Sequence, residues 1–347
     1  MASNITRKLS TLLDFSSLIL PFTLLRASPG TNIPNALFPS SPSHPTEGIL
    51  ESLLLSNGRT LTYRTYGPPN GNPIFYLHGS PSSSLEAAAL LPHLSSRNIR
   101  IIAPNRPGFG HSSHYKPRKI TDHAHDILAL ADSLGIQTFK VMGLSGGGPY
   151  SLACTRVIPP ERLNGVGVIA GVAPWKLSPT KGMDWHGWMR FYLVRYLSWT
   201  FNTAYLRRSF NEKLESWSID EKREFWRKDV GNTAIDLGEK DKLVAGDEKV
   251  VEEIVDCTME AFEGGCEGPM LDSVLLVADW DFELEDIDVG VKLYFGSEDR
   301  STPVHGAREM QKVIRGSKLV EYEGEGHFSI LVNRGAEILD DLVNEGT

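Results

Sequence analysis

The spacing of apolar and polar positions divides the chain into segments of different period. Residues 49–55 (ILESLLL) and 59–66 (RTLTYRTY) read as two strands around Asn57-Gly58. That dipeptide predicts a tight hairpin with positive φ at both central residues. A short apolar run at 73–78 (PIFYLH) enters a Gly/Ser/Pro turn, residues 85–94 suit a helix, and 99–104 read as a buried strand. Helical periodicity spans 121–134, with Thr121 as N-cap and Gly135 as terminator. Strands follow at 138–144 and 163–170 around a helix at 147–157. After a long gap come a strand at 290–296, a helix at 304–315, a strand at 318–322 and a helix at 328–344.

Apolar strands that alternate with helices predict an α/β fold: a mostly parallel sheet covered on both faces, with the hairpin as an antiparallel edge. Residues 175–287 break the alternation. All seven tryptophans lie there, and 185–199 (WHGWMRFYLVRYLSW) reads as an aromatic helix. At the other end, Arg7 and Lys8 precede a leucine-rich stretch at 9–25 that Asp14 and Pro21 interrupt. It falls short of the roughly 20 apolar residues of a spanning helix. Residues 1–45 are expected to be an N-terminal extension, a packed or membrane-surface helix at 9–25 followed by a Ser/Pro-rich linker. A secretory signal is the other reading, but Arg26 and Pro29 stand where a small-residue cleavage site belongs.

Composition narrows the function. With 43 acidic and 35 basic residues among 347, a general nucleic-acid binder is not expected. A length prior of roughly 150 residues per domain allows about two domains. Cys154, Cys257 and Cys266 are odd in number and form no CxxC pair, which predicts buried reduced thiols and an intracellular protein. The acidic run 279–288 reads as a solvated connector. Gly165 to Ala170 matches G-x-G-x-x-A by letters but lies inside a strand, so no dinucleotide site is expected. His111, His114, His123 and His125 have no Cys or carboxylate completing a metal set. Neither cofactor nor metal is expected.

The chemistry-bearing pattern begins with Gly143-Leu144-Ser145-Gly146-Gly147, a G-x-S-x-G turn directly after a strand and opening a helix. Gly296-Ser297-Glu298-Asp299 ends the strand at 290–296, and Gly326-His327-Phe328 precedes the last helix. The order serine, acid, histidine on these elements resembles the α/β-hydrolase superfamily over about residues 49–345. His78-Gly79-Ser80-Pro81 is similar to that superfamily's HGxP loop, and Arg106 to Ser112 to its segment after the next strand.

The resemblance implies a core of 46–174 and 288–347 and a mostly helical cap of 175–287, inserted after the sixth strand. It implies Ser145 as nucleophile, His327 as general base and Asp299 as its acid, with Glu298 the rival acid. It also implies an oxyanion hole from the backbone N–H groups of Ser80 and Gly146. His78 is expected to be structural. Epoxide and haloalkane hydrolases of the superfamily use an aspartate nucleophile, which Ser145 argues against.

The aromatic insertion suggests a hydrophobic small-molecule ester, lactone or thioester, with Trp185, Trp188, Phe191, Tyr192 and Trp199 as lining residues and Trp226 beside them. Two other readings stay open. One is an aminopeptidase-like hydrolase using Glu212, Glu215, Asp220 and Glu221 against a free amine. The other is a ligand receptor or cyclisation catalyst on the same fold.

Overall fold

The computed structural model describes residues 48–177, 179–201, 204–234 and 238–344. The expected N-terminal extension at 1–45, including the 9–25 stretch expected at a membrane surface, lies outside the described residues. Among the described residues no helix is long and apolar enough to cross a membrane.

Eight strands form one sheet: β1 (Leu50–Leu54), β2 (Thr60–Tyr66), β3 (Asn72–Leu77), β4 (Ile99–Pro104), β5 (Phe139–Leu144), β6 (Leu163–Ile169), β7 (Val291–Gly296) and β8 (Lys318–Tyr322). Their spatial order is β1-β2-β4-β3-β5-β6-β7-β8. β1 and β2, and β2 and β4, pair antiparallel; the other neighbours are parallel. The central strands are apolar throughout because both faces are covered. Alternate side chains serve opposite layers. Phe75, Leu77, Val141 and Leu293 join one core, while Ile74, Tyr76, Met142 and Tyr294 join the other. The first layer is completed by α2 (Ile120–Ser133), α3 (Gly148–Val157) and α10 (Val304–Val313). The second is completed by α11 (Ser329–Asn344) and the helical segment 84–94, a 3₁₀ stretch ending in the four-residue α1 (Leu91–Leu94).

Two local expectations are corrected. In the hairpin only Gly58 takes positive φ, at +79°. Gly58 N donates to Leu55 O and Leu55 N to Arg59 O, at 2.9 and 2.8 Å. This is a three-residue loop with Gly58 in the left-handed position rather than a two-residue turn. Thr121 does not cap α2. The helix starts one residue earlier, and Asp122 accepts from Lys119 N at 2.7 Å. Thr121 instead donates to Asp281, which also accepts from Ile120 N.

All six acids of the run 279–288 are exposed, as expected of a solvated connector, and several of them also make surface contacts. Besides Asp281 at the start of α2, Glu283 pairs with Lys176, Asp279 with Arg195 and Asp286 with Arg156. The run fastens the chain to four separate elements as it returns to β7.

Between β6 and β7 stand α4 (Trp185–Phe201), α5 (Ala204–Ser216), α6 (Ile219–Ala234), α7 (Glu239–Ala245), α8 (Glu248–Ala261) and α9 (Glu267–Val277). They have a core of their own, where Phe210, Trp226, Val230, Val255 and Phe262 pack with Phe109 of the sheet domain. The stronger tie is ionic. Asp272 of α9 is fully buried, 3.1 Å from the Arg106 guanidinium and 3.0 Å from that of Arg118, and Tyr150 donates its hydroxyl to it. Burial alone would raise this carboxyl. The two guanidinium charges overcome that and hold it at about 2. Cys154, Cys257 and Cys266 are buried and form no disulfide.

Removing one member of a buried ion cluster leaves its partners charged and unpaired, typically at a cost of about 3–5 kcal/mol. Asp272→Ala should lose stability on that scale, read as a lowered midpoint in urea unfolding. Glu212→Ala, on an exposed i,i+4 pair with Arg208, should leave the midpoint almost unchanged.

Candidate active site

The sheet order reverses between β3 and β5, since the chain passes from β3 to β4 on one side and then to β5 on the other. The carboxyl ends of strands at such a switch point form a crevice. The loop after β3 carries Ser80, and the turn after β5 carries Ser145.

Ser145 sits at φ +53°, a region that L-residues seldom occupy. The turn is tight because its neighbours are glycines. A Cβ on Gly147 would lie 2.0 Å from Leu77 O. The serine is thus presented at the strand end, one turn before α3. The carbonyl of Ser145 is held by Val172 N at 3.2 Å.

His327 Nε2 lies 3.0 Å from Ser145 Oγ, and its Nδ1 lies 2.8 Å from Asp299 Oδ2. Asp299 is buried. Its other oxygen accepts from Ser301 N and Thr302 N, both at 2.8 Å. Glu298 is exposed and turned toward Gly238, so Asp299 and not Glu298 meets the imidazole. Gly146 and Ser80 face each other: a Cβ on Gly146 would come 2.7 Å from Ser80 Cβ and 3.2 Å from Ser80 N. The two residues therefore lie against each other next to Ser145.

His78 is fully buried behind this loop. Its Nδ1 lies 2.8 Å from Gly79 O, and Arg106 N donates to its Nε2 at 3.3 Å. Burial, and then the Arg106 charge, hold it well below the ordinary histidine range. The same guanidinium donates to the carbonyls of His78 and Gly79, the latter at 2.6 Å. Arg106 thus braces the backbone that carries Ser80 and shares its charge with Asp272.

Three residues were not anticipated from the sequence. Glu86 turns back from its helix and accepts from Gly79 N at 2.8 Å and from the Tyr76 hydroxyl at 2.9 Å. Burial raises its carboxyl; those hydrogen bonds oppose the rise. Thr302 Oγ1 lies 2.7 Å from Ala170 O, 2.9 Å from Asp299 Oδ2 and 3.0 Å from His327 Nδ1. Asp241 of α7, wholly buried, accepts from the backbone N–H groups of His327, Phe328 and Ser329 at 2.7, 3.0 and 2.8 Å. It holds the histidine loop and the start of α11 from the inserted segment. Only Glu86 had a local cue, Ser83-x-x-Glu86, and that pattern suggests a capping box instead.

These acids act together on His327. Burial disfavours the imidazolium, but Asp299 by charge and hydrogen bond, then Asp241 and Glu86 by charge, outweigh it, and the pKa is raised above 6.5.

A cavity of about 550 Å³ opens onto Ser145, His327, Ser80 and Gly146. The inserted segment supplies much of its wall, including Phe191 and Trp226. The other aromatic expectations are corrected. Trp185 and Trp188 are 64% and 36% exposed and stack on each other, and Tyr192 packs on Trp188 at 4.4 Å. They form a stripe along α4 away from the cavity wall, because i,i+3 and i,i+4 spacing keeps them on one face while Phe191 and Val194 turn inward. The side chain of Trp199 lies outside the described residues. Glu212, Glu215, Asp220 and Glu221 are exposed and do not line the cavity. The carboxylates that do are Glu86, Asp229, Glu253 and Asp256.

Comparison with known proteins agrees with this fold. Residues 72–218 match the family model described as alpha/beta hydrolase fold. A Bacillus subtilis protein named as an uncharacterized hydrolase is 31% identical over 123 residues, which is 35% of this chain and 42% of that protein. A bifunctional esterase/perhydrolase of Acinetobacter calcoaceticus is 32% identical over 93 residues, 26% of this chain and 34% of that protein. The chain therefore spans less than half the length of these curated relatives. Among solved structures, an enol-lactonase from Burkholderia xenovorans aligns with a TM-score of 0.60 at 21% identity, covering 85% of this chain and 100% of that one. A hydrolase from Pseudomonas aeruginosa aligns at 0.61 and 21%, covering 86% and 99%.

A histidine that must be neutral to accept a proton loses activity as pH falls through its pKa. Because that pKa is raised, the acid limb of kcat/KM on an activated aryl ester should have its midpoint above 6.5. Asp299→Asn removes the largest raising influence. Its midpoint should move to lower pH, and kcat should fall by about 10⁴-fold, as when the acid of such a triad is neutralised.

Proposed function

The chain belongs to the α/β-hydrolase fold superfamily, and from that premise we propose that it is a serine hydrolase of hydrophobic small-molecule esters, lactones or thioesters that works through an acyl-enzyme. One observation carries the proposal: the hydrogen-bonded series Ser145 Oγ, His327 Nε2, His327 Nδ1, Asp299 Oδ2, at 3.0 and 2.8 Å, opening on a largely apolar cavity.

In this reading Ser145 Oγ attacks the substrate carbonyl while His327 Nε2 takes its proton. Asp299 holds the Nδ1–H and stabilises the imidazolium. The N–H groups of Ser80 and Gly146 receive the developing oxyanion, already oriented by the bracing of Arg106 and Glu86 on the loop. The C–O or C–S bond then breaks, and the leaving group takes the proton back from His327. Water repeats the cycle on the acyl-enzyme, releasing the acid and free Ser145. The helices α4 to α9 act as a cap in this scheme, excluding water and selecting the acyl group. The enol-lactonase and esterase names among similar proteins fit the same substrate class.

A fluorophosphonate probe should label the wild type and leave Ser145→Ala unlabelled. Across para-nitrophenyl esters, kcat/KM should rise with acyl length until the cavity is filled, by up to about tenfold for each pair of methylenes. Absence of labelling together with absence of turnover would favour a binding or cyclisation role. A strict preference for short charged acyl groups would overturn the hydrophobic-substrate assignment.

A further inference from the structure

The cavity wall contributed by α6 and α8 is mostly apolar, with Trp226, Val230, Val250 and Ile254 facing inward. Three carboxylates interrupt it, Asp229 on α6 and Glu253 and Asp256 on α8. Asp229 Oδ1 and Glu253 Oε2 are both cut off from solvent, and neither finds a hydrogen-bond donor among the described residues. A shortage of cations on these helices does not account for this. Arg223 pairs with Glu252 and Asp256, and Arg227 with Glu252 and Glu224. Every arginine of α6 is thus committed to an acid other than Asp229 and Glu253. Arg190 also lines the cavity, and its charge reaches Asp229, yet no hydrogen bond or ion pair joins them among the described residues.

A buried acceptor without a donor is costly, and more so if it is charged. Burial pushes both carboxyls up to about 7, Asp229 against the pull of Arg190 and Glu253 against that of Lys249. Filling this part of the cavity with hydrocarbon alone would leave that cost in place. A group with N–H donors and a positive charge would remove it. An alkylammonium supplies both in a compact head. Two carboxylates alone make a poor cation cage, and no cluster of three or more metal-ligating side chains exists among the described residues.

We propose that Asp229 and Glu253 are the specificity site for a protonated amine, so that the substrate is an ester with a hydrophobic stem and a basic nitrogen. This assignment rests on the hydrolase reading and names its substrate class more narrowly. The apolar wall takes the stem, Ser145 takes the ester carbonyl, and Asp229 and Glu253 supply the counter-charge that draws the ammonium to that wall. The acids expected from the sequence to serve an amine, Glu212, Glu215, Asp220 and Glu221, have no part in it.

The test compares para-nitrophenyl ω-(dimethylamino)hexanoate with its neutral isostere, in which C–H replaces the nitrogen. The measured quantity is the ratio of their kcat/KM values, so that a partial loss of folded enzyme cancels within each protein. Wild type should favour the amine by about tenfold or more. Asp229→Asn and Glu253→Gln should each reduce that ratio toward one. Equal rates for the two esters in wild type would overturn the amine assignment and leave the hydrolase reading standing. A preference that survives in both variants would also overturn it. No turnover of either ester, with no fluorophosphonate labelling, would overturn both.

Discussion

A carboxylate that no water reaches governs the assembly of this molecule. Asp272 comes from the inserted helices but is neutralised by Arg106 and Arg118 of the sheet domain. Two guanidinium groups with one acid leave an excess positive charge in the interior, which carbonyl oxygens and aromatic rings absorb. His78 and Gly79 offer their carbonyls to Arg106, and Phe109 and Tyr150 lie within 5 Å of it. Burying such a cluster is justified less by stability than by definition of geometry. Here it fixes the position of α9 and the course of the loop through Ser80 in one set of contacts.

The same economy is seen around His327. Three carboxylates, from the β7 end, the helix after β3 and α7, all favour its charged form over the opposition of burial. Only Asp299 touches the ring; Asp241 holds the backbone beneath it, and Glu86 holds the neighbouring loop. The imidazolium of the proposed mechanism thereby has its stabilisation built in before substrate enters.

Much of this was legible from local sequence. The strands announced themselves by apolar runs, and the serine, acid and histidine by the turns they sit on, because a strained turn demands glycines at fixed places. What was not legible depended on distance. Asp241 lies 86 residues before the histidine whose backbone it holds, in a charged stretch with no pattern of its own. Asp229 and Glu253 look like any other acids of a surface helix until the fold turns them inward. The aromatic helix misled for a related reason: composition shows that large rings are present, whereas the 3.6 period decides which of them face the cavity. Phe191 does, and Trp185 and Trp188 do not.

Asp241 has a consequence for how this protein could change over time. Insertions after β6 are convenient places to vary substrate choice, since new helices can replace old ones without disturbing the sheet. In this chain, however, three backbone amides at the histidine end at a single side chain within the insertion. Exchanging the whole insertion for that of another protein would therefore carry away part of the histidine loop's own scaffold. Lineages of this chain are free to remodel α4 to α6, while α7 is bound to travel with the core, as are α8 through Glu260 on Arg64 and α9 through Asp272.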